Sequence, residues 1–480
     1  MFNVKCEMMN DKKDSWPERA LLSDGERESM TERKATFSLV SLGCAKNLVN
    51  SEQMHHLMRE AGYIPAADSD GADLAIINTC GFIDAAKSEA IDCILEHAQL
   101  KAEGRLGGII VTGCLSERYQ DDIQKELPEI DAVLGVGSFG EIVKAADAVL
   151  AHRPYRAFGD QSAPVDETPR DVSTGPGWAW LRIAEGCDNF CAFCAIPFIR
   201  GRYRSRELEA IVKEAEDLAA SGVKELIVIA QDITRYGTDR YGKRCLAELI
   251  RRLSEIPGLR WIRLHYLYPD QFDDELIDEI SRNDKVVKYL DIPIQHIDNE
   301  ILRRMNRRGT GDEIRALFRT LRDRIPDLVL RTSLITGLPG EGEAEFEELL
   351  DYLKEARIER VGVFPFSPEE GTKAARMEHC DAEEAARRAD QVLELQGRIL
   401  DEFAQAQVGR ELKVLIEEPW EEDGGLMTGR TWADSPEIDS FAVVDGDVRP
   451  GELVRVRIER AENGVLFGSC TENRGDDHRC

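Results

Sequence analysis

The chain has 480 residues, with 62 Lys and Arg against 91 Asp and Glu, a formal net charge of −29. The length predicts two to four domains, and the acidic balance argues against broad binding of nucleic-acid backbones. The 12 cysteines are too few for a disulfide scaffold, no stretch approaches the ~20 apolar residues of a membrane span, and no secretory signal is visible, so we expect a reduced, cytoplasmic protein.

Residues 1–34 mix charged and polar residues and are predicted to be a flexible extension. Residues 35–151 then alternate short β-rich apolar runs with helical patterns, which predicts a doubly wound α/β domain around an open parallel sheet. The predicted strands are Phe37–Leu42, Leu74–Ile77, Ile109–Thr112 and Ala132–Val136. The predicted helices are Ser51–Glu60, Ala85–His97, Glu117–Leu127 and one that continues to Ala151.

Three cysteines stand at corresponding places in this domain. Cys44 follows the first predicted strand, and Cys80 and Cys114 end the second and third, each with a glycine beside it. Because the carboxyl ends of parallel strands meet at one edge of a sheet, we expect the three thiols to lie together there. Each thiol could instead be a small buried hydrophobic group. The repeated position favours a three-thiolate site for an iron–sulfur cluster with one open iron.

Residues 152–176 hold several prolines and predict a linker. Alternation of strand and helix resumes over residues 177–407 and predicts a partial TIM-like barrel with its site at the carboxyl ends of the strands. The predicted strands are Trp180–Ala184, Glu225–Ala230, Trp261–Tyr266, Tyr289–Pro293, Val329–Ile335 and Arg360–Phe364, and Ala382–Gln407 is predicted to be a closing helix.

The start of this second domain contains Cys187, Cys191 and Cys194, with the spacing C-x₃-C-x₂-C. No fourth cysteine or histidine follows closely, so a four-iron cluster held here would keep one iron open to a small molecule. A zinc site would need a remote fourth ligand. Three unrelated thiols are the other alternative, and clustered cysteines of an intracellular enzyme are more often ligands.

The last part of the chain, residues 408–474, reads as short alternating strands with glycine-rich turns, and residues 475–480 as a tail. This pattern predicts a small β-barrel of the OB-like kind. The segment has 8 Lys and Arg against 15 Asp and Glu. The predicted strands are Leu412–Glu417, Leu426–Thr431, Ser440–Val444, Leu453–Ile458 and Val465–Cys470.

Four segments together resemble the methylthiotransferase family of radical S-adenosylmethionine (SAM) enzymes. They are Ser41–Glu52 (SLGCAKNLVNSE), Asn78–Asp84 (NTCGFID), the loop of Cys187 to Cys194, and Ala433–Asp439 (ADSPEID). The resemblance implies an N-terminal cluster domain, a radical SAM barrel and a C-terminal TRAM domain. It is strongest to the branch that modifies ribosomal protein S-twelve, with one departure at Ala45, where that branch usually has proline.

The resemblance implies two 4Fe–4S clusters, one on each cysteine trio. SAM would bind at the open iron of the cluster on Cys187, Cys191 and Cys194 and would be cleaved there to a 5′-deoxyadenosyl radical. This radical would abstract hydrogen from the β-carbon of an aspartate in ribosomal protein S-twelve. The other cluster would carry the sulfur. A flavodoxin or ferredoxin would supply electrons. The alternatives are an isopentenyladenosine tRNA methylthiotransferase and a cluster-bearing electron carrier without catalysis. The acidic C-terminal barrel suits a basic ribosomal protein better than RNA.

Five further residues are predicted to contact SAM, because they lie in or just after strands of the barrel. They are Phe193, Gln231, Arg331, Gly337 and Glu341. Arg331 could pair with the SAM carboxylate through charge-assisted hydrogen bonds, and Phe193 could lie by the adenine or cover the cluster. Each could instead be structural, and the glycine could serve the geometry of its turn.

Overall fold

The computed structural model describes residues 35–422 and 424–471, so the predicted extension (1–34) and tail (475–480) lie outside the described residues. The N-terminal domain contains strands β1 (Thr36–Ser41), β2 (Ile64–Pro65), β3 (Leu74–Thr79), β4 (Gly108–Gly113), β5 (Ala132–Leu134) and β6 (Tyr155–Ala157). Its helices are α1 (Ala45–Glu60), α2 (Asp84–Ala102), α3 (Cys114–Arg118), α4 (Ile123–Glu126) and α5 (Ile142–Leu150).

The N-terminal strands form one parallel sheet in the order β2-β1-β3-β4-β5-β6. One face packs against α1 and α5, with Met54 and Ile142 in the core, and the other against α2, with Ile94 in the core. Helices on both faces of a parallel sheet make a doubly wound domain, so this prediction is confirmed.

The segment predicted as a linker is more structured than its prolines suggest. Residues Tyr155–Ala157 add the edge strand β6 beside β5. The prediction missed β6, and β2 as well, because strands of two or three residues are too short to show a period. The helix predicted over Glu117–Leu127 is also divided, into α3 and α4.

The end of the same segment is bound to α1 through Asp171. Its carboxylate lies 2.7 Å from His55 Nδ1, 3.1 Å from His56 Nδ1 and 3.0 Å from Arg59 Nη1. Burial raises the pKa of Asp171, but the hydrogen bonds from the two histidines and the charge of Arg59 outweigh it and lower that pKa to about 2. The ionised carboxylate therefore holds the segment against the first domain.

This contact predicts a pH-dependent loss of stability in the Asp171→Asn variant. The pKa of Asp171 is below its usual value of 3.8, so its contribution is present above that pH and is lost as the pH falls toward 2. We expect Asp171→Asn to lower the free energy of unfolding by about 2 kcal/mol at pH 6 and by progressively less below pH ~4. Urea unfolding of both proteins across this range measures it, and a deficit independent of pH would contradict the assignment.

The second domain contains barrel strands β7 (Trp178–Arg182), β10 (Glu225–Ile229), β11 (Trp261–Leu264), β12 (Val286–Asp291), β13 (Val329–Thr336) and β14 (Arg360–Pro365), and a small hairpin of β8 (Ala184–Glu185) and β9 (Arg204–Ser205). Its helices are α6 (Ile196–Ile199), α7 (Leu208–Ala220), α8 (Thr238–Tyr241), α9 (Leu246–Ser254), α10 (Asp274–Arg282), α11 (Asn299–Arg304), α12 (Gly311–Arg324), α13 (Glu343–Ala356) and α14 (Ala382–Gln405).

The six barrel strands are parallel and neighbour one another in chain order, from β7 through β10 to β14. Within the described residues β14 does not pair with β7, so the barrel is open along one side. Alternate residues such as Leu226 and Leu330 pack outward against the helices, while Ile227 and Tyr289 face the interior. The partial TIM-like barrel is confirmed.

The C-terminal strands are β15 (Glu411–Pro419), β16 (Met427–Arg430), β17 (Ala442–Asp445), β18 (Leu453–Glu462) and β19 (Val465–Cys470). They close into a barrel in the order β15-β16-β17-β19-β18, which confirms the predicted small β-barrel. Across the described ranges, no helix has both the length and the apolar character to cross a membrane.

The interior of the large barrel is shared by all three domains. One apolar cluster joins Trp180 and Tyr289 of the barrel to Val49 of α1 and to Leu415 of the small barrel. The loop between β16 and β17 also reaches the interior, where Tyr289 donates to Asp439 Oδ2 at 2.6 Å.

Further polar contacts hold that loop in place: Ser435 Oγ lies 2.9 Å from His265 Nε2, and Arg360 Nη2 donates to Asp434 Oδ1 at 2.7 Å. Glu225, the first residue of β10, completes the packing and accepts hydrogen bonds from Arg263 Nε and from Arg430 Nη2 of β16, both at 2.7 Å. Because the C-terminal domain packs at the amino ends of the strands, a reaction site is left at their carboxyl ends.

Candidate cluster and cofactor site

The structure brings the first cysteine trio to one edge of the N-terminal sheet. Cys44 directly precedes α1, Cys80 directly follows β3, and Cys114 is the first residue of α3, after β4. Strands β1, β3 and β4 are parallel neighbours, so their carboxyl ends lie side by side. The helix that follows β1 packs on one face of the sheet and the helix that follows β3 packs on the other, so the strand order reverses between β1 and β3. Doubly wound folds bind their ligands at the carboxyl edge next to such a reversal.

Gly43 leaves room beside the sulfur of Cys80. Its φ is +90°, and a Cβ atom built on it would lie 2.7 Å from Cys80 Cβ and 3.0 Å from Cys80 Sγ. A side chain at this position would therefore collide with the Cys80 side chain and displace its sulfur. Glycine is thus needed here to keep Cys80 in its place beside Cys44.

The charges around this trio differ from thiol to thiol. Burial, followed by the charges of the other two cysteines, raises the pKa of Cys80 to about 12, and burial also raises the pKa of Cys114. Desolvation raises the pKa of Cys44 too, although its side chain is exposed, but the positive charges of Lys46 and Arg200 outweigh it and lower that pKa. Arg200 Nη2 lies 3.5 Å from Cys114 Sγ.

The second trio lies in the loop after β8. The loop is held by backbone hydrogen bonds from Cys187 N to Gly201 O at 3.1 Å and from Ala192 N to Met305 O at 2.8 Å. Burial raises the pKa of Cys187 to about 12. Arg307 Nη1 lies 3.6 Å from Cys191 Sγ, so each trio has one arginine directed at one of its sulfurs.

Gly186, directly before Cys187, sets the path of this loop and predicts a sharp effect of an added methyl group. Its φ is +81°, and a Cβ atom would collide with the carbonyl group of Arg202. We expect Gly186→Ala to lose about half of the iron bound by the wild-type protein, because the loop cannot keep its three thiols in place. Iron analysis after anaerobic reconstitution measures this.

Gly71→Ala is the matched control, because Gly71 has nearly the same φ, +84°, but no atom within 4 Å of the added Cβ. It should lose only about 1 kcal/mol of stability and no iron. Equal iron in the two variants would contradict the role given to Gly186.

The thiols fit a cluster better than a single ion. In the described part of the chain, no group of three His, Cys, Asp or Glu side chains is arranged to hold one metal ion. In a four-iron cluster each thiolate binds a different iron, so the sulfurs need not converge on one point. Thiolate donors with an arginine beside them suit the negative charge of such a cluster.

Glu185 connects the two trios, a connection that sequence reasoning missed. Its buried carboxylate accepts hydrogen bonds from Arg200 Nη1 at 2.9 Å, Arg182 Nη1 at 3.1 Å and Gln231 Nε2 at 2.7 Å. Arg200 in turn reaches Cys114. The one signal for Arg200 is a dense run of arginines after the second trio, unusual in so acidic a chain.

Two of the five predicted SAM contacts lie open to a ligand. Gln231 follows β10, and its Oε1 is buried without a hydrogen-bond partner among the described residues, so it can accept a hydrogen bond from a bound amine. Phe193 is half-buried and packs against the small apolar cluster that contains Met305 and Leu338. Both residues stand at the carboxyl ends of the barrel strands.

The other three predicted contacts have partners within the protein, although one buried oxygen of Glu341, Oε2, makes no hydrogen bond among the described residues and lies 3.4 Å from His296 Nε2. Arg331 Nη1 donates to Asp291 Oδ1 at 2.8 Å. Glu341 accepts from Gly337 N at 2.9 Å and from Arg388 Nη1 at 2.8 Å, which binds this turn to α14. The structure thus gives each a structural partner, and their contact with SAM stays a prediction.

Comparison with known families matches each part of the chain in turn. Residues 181–353 match the Radical SAM superfamily, residues 36–135 match a family described as uncharacterized protein family UPF0004, and residues 408–470 match the TRAM domain.

Two similar curated proteins are named ribosomal protein uS12 methylthiotransferase RimO. That of Symbiobacterium thermophilum is 45% identical over 92% of this chain and 92% of its own length. That of Lachnoclostridium phytofermentans is 46% identical over 90% of this chain and 98% of its own length. The chain belongs to the RimO family. As a radical SAM methylthiotransferase of this family, it uses a 4Fe–4S cluster and SAM.

A solved structure shows the same fold at low identity. The radical SAM methyltransferase TsrM from Kitasatospora setae, with cobalamin and a 4Fe–4S cluster bound, matches with a TM-score of 0.52 and 15% identity, over 71% of this chain and 77% of that one. The likeness concerns architecture alone.

Proposed function

We propose that this chain transfers a methylthio group to the β-carbon of an aspartate in ribosomal protein uS12. The observation that carries the proposal is the 45% identity to a RimO protein over 92% of the chain, which includes both cysteine trios. The acidic surface, with a net charge of −29, suits a basic ribosomal protein as substrate and disfavours broad binding of nucleic acid. A ribosomal substrate also implies that the reaction takes place in the cytoplasm.

We further propose that the two trios hold separate 4Fe–4S clusters. Cys187, Cys191 and Cys194 would hold the one at which SAM binds, and Cys44, Cys80 and Cys114 the one that carries the sulfur. When bound, these groups supply the reducing electron, the radical and the transferable sulfur, chemistry that amino-acid side chains lack. A flavodoxin or ferredoxin is the proposed electron donor.

The protein's own side chains bind SAM, shield it and keep the two cysteine sites in a fixed relative position. Gln231 offers its free Oε1 to the SAM ammonium group, and Phe193 covers the bound ligand. Glu185 fixes the amide of Gln231 at 2.7 Å and Arg200 at 2.9 Å, so the two sites keep a constant relative position. Arg331, Gly337 and Glu341 support the site through the strand and turn that they stabilise.

A substrate assay tests the proposed function. The reconstituted protein, with SAM, a sulfide source and a reductant, is incubated with purified uS12 and, separately, with tRNA that carries isopentenyladenosine. We expect uS12 to gain the mass of a methylthio group at one aspartate. A gain on tRNA alone would reject the proposed substrate, and absence of 5′-deoxyadenosine with either would reject the radical SAM activity.

A further inference from the structure

Lys46 is a buried cation with an unusual environment. It is the second residue of α1, the residue as a whole is 6% exposed, and its Nζ lies 3.1 Å from the centre of the Tyr266 ring. Across the described residues, Nζ has neither a carboxylate at salt-bridge distance nor a hydrogen-bond acceptor. The stem of the side chain is buried, but Nζ is not among the fully enclosed polar atoms, so the ammonium group keeps accessible surface through which an anionic ligand can reach it.

Neighbouring buried cations of the barrel differ from Lys46, because each has an anionic partner. These pairs are Arg182 and Arg200 with Glu185, Arg263 with Glu225, Arg331 with Asp291, and Arg360 with Asp434. The chain therefore provides carboxylates where the fold needs them and leaves Lys46 without one. The one acidic group on which its charge acts is the Cys44 thiol, whose pKa it helps to lower, so no carboxylate of the described residues competes with an anionic ligand at Nζ.

The surroundings of Lys46 are built to present the ammonium group. Tyr266 follows β11, and its φ of +63° is a strained value for a tyrosine. The strain is held in part by a hydrogen bond from Tyr266 N to Asp291 Oδ2 at 3.1 Å. The ring is thereby fixed under Nζ at the carboxyl end of the barrel. Lys46 itself is two residues after Cys44 along the chain.

We propose that Lys46 binds the side-chain carboxylate of the substrate aspartate. The assignment rests on the proposed function, since the β-carbon to be modified is bonded directly to that carboxylate. Lys46 is two residues from Cys44, and its ammonium group lies over Tyr266 of the barrel, so the ion pair would hold the β-carbon between the first trio and the barrel. Lys46 is thus a specificity-determining residue: an asparagine at the same place in uS12 offers no negative charge to it.

Binding measurements with the holoenzyme test this. Purified uS12 and its variant with the target aspartate replaced by asparagine are titrated into the wild-type, Lys46→Met and Lys46→Arg proteins, each with its iron content determined. We expect the wild-type Kd to favour the aspartate form by about tenfold or more, because asparagine keeps an acceptor oxygen but lacks the negative charge that pairs with the ammonium group. Lys46→Met should bind both forms with the same Kd, and Lys46→Arg should keep the preference.

Lys213→Met is the control, because Lys213 is an exposed lysine of α7 paired with Asp217; it should leave the preference unchanged. If wild-type protein bound the two forms with the same Kd, the inference would be overturned. This comparison uses wild-type enzyme alone, so it does not depend on the folding of any enzyme variant. A preference that survives in Lys46→Met would also overturn the inference. Wild-type protein that modifies tRNA and not uS12 would instead reject the proposed function.

Discussion

Changing Cys187, Cys191 and Cys194 together to Ala is expected to abolish 5′-deoxyadenosine formation while half of the wild-type iron remains bound. The reciprocal variant, with Cys44, Cys80 and Cys114 changed, should also keep half of the iron and still cleave SAM, but uS12 should gain no methylthio group. The reason is that the two trios stand on different domains, and each provides a complete set of three thiolates.

Chromatographic assay of 5′-deoxyadenosine, mass spectrometry of uS12 and iron analysis measure these outcomes in the same preparations. Cys245→Ala is the control, since Cys245 is a buried thiol outside both trios and should keep all three quantities. Loss of all the iron in either triple variant would show that the trios do not hold independent centres.

Replacing Glu225 by Ala is expected to cause the largest loss of stability that does not involve cysteine. Its carboxylate is fully buried between Arg263 and Arg430, with both hydrogen bonds at 2.7 Å. Removing it leaves two buried guanidinium groups without their shared anion, which costs about 3–5 kcal/mol. Because Arg430 belongs to the small barrel, the variant should also loosen that domain from the large one. The urea midpoint of the reconstituted protein measures the effect.

Glu411→Ala provides the comparison, because it removes a carboxylate from an exposed ion pair, 3.3 Å from Arg455. Such pairs contribute about 0.5 kcal/mol, so the midpoint should hardly move. Similar midpoints for the two variants would mean that the buried pair contributes little to holding the domains together.

The sequence allowed the fold to be predicted wherever buried strands repeat with helices. Cys80 and Cys114 could be placed at the edge of a sheet because each follows a short buried apolar run within three residues. Edge strands such as Tyr155–Ala157 escaped prediction, since three residues with one exposed side chain carry no period.

The partners of the site could not be predicted, because they depend on register and on docking of distant segments. Arg331 lies opposite Asp291 only because β12 and β13 pair at that register. Glu185 receives Arg200 through the return of the loop that follows the second trio. Lys46 was hidden in a motif recognised for its cysteine, and only the packing of α1 over Tyr266 shows that its ammonium group faces a ring and has no carboxylate partner among the described residues.

Iron analysis and Mössbauer spectroscopy of the anaerobically reconstituted wild-type chain test the central claim most directly. The account predicts two 4Fe–4S clusters per chain, each with one iron that no side chain binds, so that SAM alters the spectrum of just one of them. A single cluster per chain, or a cluster ligated by four side chains, would contradict it.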